Sequence, residues 1–288
     1  MKIPRRVFGL DVSIDITVWI LVAILFNNIS SVFMAKFPDE ETLPLIVASF
    51  VCSICFIFSV LAHELGHVWV GRKMGVEFSG ITLFVFGGAA KMDSPIPSAK
   101  AEFLMALAGP ATSILLGIIC LIGMIILDPG DTVSVLGMMV GLLCSINIIL
   151  GLFNLIPAFP TDGGRVLRSA IWKISENFVL ATKIAGGLGM GFGWAMVSMG
   201  AAMCFGINVP LFGTGIGSGI WIAFIGFLIQ LMARAEIKHA KAQVRVNELV
   251  AKLRTAGFQV TKDDEKSLQE MFLKGNVTVE IERIPKES

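Results

Sequence analysis

The sequence predicts an all-α polytopic membrane protein with six transmembrane helices, a short membrane-embedded β segment and a small cytosolic α/β tail. Mean hydropathy is +0.80, and 55% of the 288 residues are hydrophobic while only 16% are charged. Apolar stretches near 14–34, 44–71, 102–127, 134–156, 177–204 and 215–233 each reach the ~20 residues that cross a bilayer as a helix. We therefore expect a six-span core over residues 1–234 and a soluble appendage over residues 235–288.

Basic residues predict the orientation in the cell membrane. Lysines and arginines gather before the first span and after the second, fourth and sixth, whereas the loops at 35–43, 128–133 and 205–214 contain one, Lys36. Because short cytoplasmic loops collect basic residues, we expect both termini to be cytoplasmic. The lipid bilayer is thus a partner. A net charge of +1 gives no electrostatic footprint for nucleic acid, so no nucleic acid contact is expected, and no oligomeric state is predicted.

The second span carries the motif H-E-x-x-H, formed by His63, Glu64 and His67. Residues four apart lie on one face of a helix, so both imidazoles can reach a single zinc ion while Glu64 sits beside the open position of the metal. An isolated acid within a span is costly, which itself indicates a functional role. The motif therefore predicts a zinc-hydrolase site inside the membrane; the alternative is a pair of core histidines.

The stretch Ile81–Phe86 after the second span is apolar and rich in β-branched and aromatic residues, but it is too short to cross a bilayer. We predict a re-entrant strand beside the active site, with Gly87-Gly88 as its turn, because backbone of this kind is tolerated at membrane depth only when protein or a wet cavity surrounds it. An interfacial loop on the bilayer surface is the alternative.

The later part of the chain contains glycine-rich spans and a charged tail. Glycines in the fifth and sixth spans fit either close helix packing or mobility, since glycine lowers helix stability by ~1 kcal/mol. The tail pattern predicts helices near 242–256 and 264–273 and a strand at Val277–Ile284.

A catalytic zinc usually takes three protein ligands, and Asp162 is the candidate for the third. It follows the fourth span, where Pro157 and Pro160 prevent a regular helix and leave the backbone free to turn the carboxylate toward the metal. Asn154, slightly earlier, could donate to a developing oxyanion or bind substrate backbone. Capping of a helix at 164–174 is the structural alternative for Asp162. The competing acids are Glu77, Asp93 and Glu102.

The pairing of H-E-L-G-H with N-x-x-P-x-x-P-x-D-G-G resembles the site-2 protease family of intramembrane zinc metalloproteases, over about residues 5–233. The resemblance implies one zinc ion per chain, bound by His63, His67 and Asp162, with Glu64 as the general base. It also matches Ala108-Gly109-Pro110 to an A-G-P motif of the family. Ser113 stands where many members have Asn, which argues against a role for this residue.

The chemistry implied is hydrolysis of a peptide bond in or near a transmembrane segment of a membrane-protein substrate, as in regulated intramembrane proteolysis. A helical substrate must unwind first, and pairing with the edge of Ile81–Phe86 would replace its lost hydrogen bonds. A zinc transporter or metal-handling protein is the rival class, and a scaffold with a vestigial site is a third. Glu64 discriminates between them, because a hydrolase needs a base that is not a ligand.

Overall fold

The structure, a computed structural model, describes residues 5–7, 9–85, 87–130, 133–209 and 213–274. In this part of the chain the helices are α1 (Thr17–Lys36), α2 (Thr42–Lys73), α3 (Ala99–Leu127), α4 (Val135–Asn154), α5 (Asp162–Ser175), α6 (Phe178–Cys204), α7 (Ile216–Thr255) and α8 (Lys262–Lys274). The strands are β1 (Arg5–Val7), β2 (Leu10–Ile14), β3 (Phe78–Phe84) and β4 (Gly87–Met92). Six of these helices, α1 to α4, α6 and α7, are long and apolar enough to cross a membrane. The predicted six-span fold class is confirmed.

The chain forms two compact units, Met1–Ile174 and Ser175–Ser288. The first unit holds the sheet, α1 to α4 and nearly all of α5, and the second holds α6, α7 and α8. Helix α7 continues through residue 234 to Thr255 without a break, so the separate soluble appendage from residue 235 stays a prediction. The predicted strand at Val277–Ile284 lies outside the described residues.

The strands form one sheet in the order β1-β2-β3-β4. Strand β3 pairs in parallel with β2, with Val12 opposite Ile81, and antiparallel with β4, with Thr82 opposite Ala89. A parallel pair needs a long crossover, and here α1 and α2 supply it. The predicted single strand is therefore the centre of a larger sheet, whose buried side packs with α1, α2 and α3 in one hydrophobic cluster.

Two details of the predicted β segment are corrected by the sheet. Gly87 and Gly88 open β4 and are not only a turn, and Gly87 has a φ of 132°, which suits glycine. Neighbouring strands occupy both sides of β3 at Ile81–Leu83, so the expectation that a substrate pairs with the edge of Ile81–Phe86 is wrong for these three residues. In the described part of the chain the outer side of β4 is the open edge next to β3.

Glycines in α6 and α7 allow the backbones of these two helices to approach closely. A Cβ atom added at Gly193 would lie 2.6 Å from the Gly226 carbonyl oxygen, and one added at Gly219 would lie 2.5 Å from that of Gly200. Small residues that permit such contacts are typical of helix pairs in membranes. Close packing accounts for these four glycines.

Candidate metal centre

Helix α2 places His63 and His67 one turn apart on its buried face. His63 is 4% exposed and His67 is 8% exposed, and their Nε2 atoms lie 3.2 Å apart. The helical spacing of the motif thus brings the two rings to one point, as the sequence predicts.

Asp162 reaches the same point from a different element. Helix α4 ends at Asn154, an irregular segment with Pro157 and Pro160 follows, and Asp162 is the first residue of α5. Its Oδ2 atom lies 3.1 Å from the Nε2 atoms of His63 and His67. The three side chains therefore form a group that could hold a metal ion.

The hydrogen bonds of His67 indicate that the two Nε2 atoms and Asp162 Oδ2 suit a bound cation. His67 Nδ1 lies 2.7 Å from the Met105 carbonyl oxygen, which can only accept a hydrogen bond, so Nδ1 carries the proton. In the neutral ring Nε2 then has a free lone pair, directed at the Asp162 carboxylate. Ligands 2.0–2.2 Å from a tetrahedral zinc are separated by about 3.3 to 3.6 Å, and the observed separations of 3.1 to 3.2 Å lie close to the lower end of that range.

Gly109 of the A-G-P motif leaves the space beside the ligand atoms open. A Cβ atom added there would contact the His67 ring and lie 2.7 Å from His63 Nε2. Glycine at this position is thus required by the close approach of α3 to the two imidazoles. The shape of the cradle and the chemistry of its donors both fit a small, imidazole-binding cation such as zinc.

Ser113 contacts the ligand His63. The sequence argued against a role for this residue, because many family members have Asn at this position, but the contact contradicts that argument. The residue is fully buried on α3, and its Oγ lies 2.8 Å from His63 Nδ1. The Ser113 hydroxyl is able to accept from Nδ1–H of the tautomer that leaves Nε2 free for a metal, which is the usual role of the partner behind a metal-binding histidine. Serine can serve in this way although many family members have Asn here.

We expect Ser113→Ala to lower zinc affinity by about 10- to 100-fold, because His63 then loses the partner that fixes its ring. Ser113→Asn, which keeps a polar partner, should retain more of the affinity than the alanine variant does. Competition with a chromophoric chelator on purified protein measures both. Equal zinc affinity in Ser113→Ala and the unmodified protein would remove Ser113 from the site.

Glu64 lies on α2 between the two histidines and faces the start of β4. A Cβ atom added at Gly88 would lie 2.9 Å from Glu64 Cδ, so only glycine allows the strand this close to the carboxylate. Strand β4 therefore borders Glu64 at Gly88, which the sequence predicts as part of the turn after Ile81–Phe86. The backbone of β4 and the Glu64 carboxylate thus lie side by side.

Asn154 is half-buried at the last residue of α4, and its Nδ2 donates to the Leu150 carbonyl oxygen of the same helix at 2.9 Å. This contact is local, and the oxyanion role assigned to Asn154 from the sequence stays a prediction. The competing acids Glu77, Asp93 and Glu102 are not in the metal-binding group of the described residues.

Sequence reasoning missed the partner of Glu102. This acid is fully buried and accepts hydrogen bonds from Arg168 of α5, which is 5% exposed. The two residues are separated by 66 positions, and no motif connects them. The available signal was an acid near the start of an apolar span, since a charge that becomes buried there is normally paired.

The described residues contain six membrane-length helices and a site built from two histidines and an aspartate, which together define a membrane protein with a metal centre. The model of Peptidase family M50 matches residues 51–129 and 130–198, and the chain belongs to this family. The chain is accordingly a multi-pass membrane protein, and the predicted site-2 protease relationship is confirmed.

Similar proteins support the same conclusion. The chain is 33% identical over 234 residues to a putative zinc metalloprotease, sll0528, of Synechocystis, covering 81% of this chain and 59% of that protein. It is 35% identical over 199 residues to the zinc metalloprotease MJ0392 of Methanocaldococcus jannaschii, covering 68% and 52%. The solved structure of a site-2 protease from M. jannaschii matches with a TM-score of 0.53 and 27% identity, over 81% of this chain and 93% of that one. The chain spans about half to three fifths of the length of these two curated relatives.

Proposed function

We propose that this protein is an intramembrane zinc metalloprotease that hydrolyses a peptide bond in or near a transmembrane segment of a membrane-protein substrate. The observation that carries the proposal is the convergence of His63 Nε2, His67 Nε2 and Asp162 Oδ2 within 3.2 Å of one another, with Glu64 beside them on the same helix. Membership of Peptidase family M50 supports the reaction class. Regulated intramembrane proteolysis is the biological setting that fits this activity.

In the proposed reaction, His63, His67 and Asp162 hold one zinc ion and Glu64 handles the proton. Zinc, when bound, supplies Lewis acidity, which lowers the pKa of a nearby water molecule and polarises a carbonyl group. Glu64 accepts the proton of the attacking water and delivers it to the leaving amine. Asn154 is proposed to donate a hydrogen bond to the developing oxyanion after turning its amide away from Leu150.

A zinc transporter remains the rival class, because acids and histidines within spans also mark ion paths. Glu64 argues against it. The Glu64 carboxylate is not in the metal-binding group. Strand β4 nevertheless lies against it, because Gly88 has no side chain to keep the strand away. A transport site requires ligands only, whereas this site adds an adjacent base and a backbone edge to present a peptide.

Strand β4 is the proposed docking edge for the substrate. It pairs with β3 on one side, and its first residues lie against Glu64. An unwound substrate segment added to the open side of β4 would recover backbone hydrogen bonds and pass next to the base. Both termini are proposed to be cytoplasmic, so that water reaches the site from the cytoplasmic side.

The docking proposal predicts a specific sensitivity to N-methylation of the substrate backbone. We expect one N-methyl group on an amide that pairs with β4 to reduce cleavage strongly, while methylation of the adjacent amide has little effect, because alternate amides point to opposite sides of a strand. A series of singly methylated synthetic substrates, assayed in detergent, measures this. A flat profile across the series would exclude strand pairing.

The activity itself is tested with purified protein in liposomes that contain single-span substrates. Removal of zinc by a chelator should stop cleavage, and stoichiometric zinc should restore it. Zinc uptake into the liposomes with no cleavage of any substrate in a broad panel would favour the transporter instead.

A further inference from the structure

A buried ion pair joins the start of α3 to the middle of α5. Arg168 Nε donates to Glu102 Oε1 at 2.7 Å, Arg168 Nη2 donates to the same oxygen, and the guanidinium carbon lies 4.9 Å from the centre of the Phe159 ring. Glu102 is 0% exposed. Desolvation makes such pairs weak contributors to stability, and an apolar replacement is often as stable. Stability alone is therefore a weak reason for this buried pair.

The position of Arg168 relates the pair to the metal site. Asp162 is the first residue of α5, and Arg168 follows six residues later, about 9 Å along the helix axis. Phe159, against which the guanidinium packs, belongs to the irregular segment that leads into Asp162. Arg168, on the helix that follows this ligand, thus contacts the segment that precedes it and links both to Glu102.

Helix α3 also provides hydrogen-bond partners for the two histidines of α2. Met105, three residues after Glu102 and hence on the same face, accepts the hydrogen bond from His67 Nδ1. Ser113, further along the helix, contacts His63 Nδ1. Helix α3 therefore contacts each histidine directly, and through Arg168 it contacts α5, the helix that begins with Asp162.

We propose that Glu102 and Arg168 are positioning residues that hold the Asp162 carboxylate at the correct distance from the two imidazoles. The inference rests on the proposed metal-binding function. Without the pair, α5 keeps its sequence and its ligand but loses the contact that fixes its location against α3. Metal affinity should then fall even where the fold is retained.

The test replaces both partners at once, with Glu102→Met/Arg168→Met, because apolar side chains of similar volume avoid leaving one buried charge alone. Arg168→Lys is the conservative variant that keeps the charge but loses the planar, two-pronged donor. Zinc affinity is measured by chelator competition on full-length protein in detergent, Co²⁺ absorption reports the ligand geometry, and thermal unfolding of the metal-free protein reports stability. Asn147→Leu is the control, because Asn147 Nδ2 donates to Ser59 Oγ in a partly buried contact that joins α2 and α4 and includes no metal ligand.

We expect the double variant to unfold at or above the temperature of the unmodified protein, to bind zinc about 10- to 100-fold more weakly and to show a changed Co²⁺ spectrum. The zinc affinity of Arg168→Lys should lie between that of the double variant and that of the unmodified protein. Asn147→Leu should lose stability but keep its zinc affinity. Zinc binding as tight as in the unmodified protein, in a folded double variant, would overturn the proposal. Loss of zinc in Asp162→Asn together with that result would leave the ligand set intact and reject only the positioning role.

Discussion

Glu64→Gln should reduce peptide hydrolysis by about 10²- to 10⁴-fold while the protein keeps its zinc. Glutamine has the shape of glutamate and fits against Gly88, but its amide cannot accept the proton of the attacking water. The three metal ligands are unchanged. Cleavage of a single-span substrate in liposomes and elemental analysis of the same preparation measure the two properties together.

Glu77→Gln is the matched control, since it makes the same substitution at an acid outside the metal-binding group. It should leave cleavage unchanged. Loss of zinc in Glu64→Gln would make Glu64 a ligand, and undiminished cleavage would exclude it as the base.

Asp162→Asn should lose zinc more severely than any variant of the surrounding hydrogen-bond partners, whose removal typically costs about 10- to 100-fold in affinity. The amide replaces a charged donor by a neutral one, and the two imidazoles alone leave the site a ligand short. Hydrolysis should disappear with the metal. Zinc content after dialysis against a weak chelator gives the result.

Asp93→Asn serves as the control for Asp162→Asn, because Asp93 is an acid of the same unit that lies outside the ligand group. Its zinc content should equal that of the unmodified protein. Stoichiometric zinc in Asp162→Asn after the same dialysis would remove Asp162 from the ligand set.

The helical part of the fold could be predicted from the sequence because its signals are local. Each membrane-length helix begins and ends within a few residues of the predicted apolar stretch, except α7, which runs on to Thr255. A hydropathy pattern shows where the apolar sequence stops, but a helix can continue beyond that point into charged sequence, as α7 does. The sheet was only partly predicted, since the parallel pairing of β2 with β3 joins segments about seventy residues apart.

The predicted metal ligands could be found because two of them share a helix face and the third follows prolines that end a span. Their convergence is what the sequence anticipated. The contacts behind them could not be found in the same way. Ser113 reaches His63 across 50 positions, and Arg168 meets Glu102 across 66, so only the packing of α3 against α2 and α5 reveals them. The open edge at β4 likewise depends on the strand order.

Intramembrane proteolysis by this protein is tested most directly by mass spectrometric mapping of the bond that the purified protein cuts in a single-span substrate, in liposomes prepared in H₂¹⁸O. The proposed hydrolysis should give new carboxyl termini in or at the border of the hydrophobic segment, each carrying ¹⁸O, and no such fragments with Glu64→Gln. Fragments that end only in the soluble parts of the substrate, or that form equally with Glu64→Gln, would contradict it.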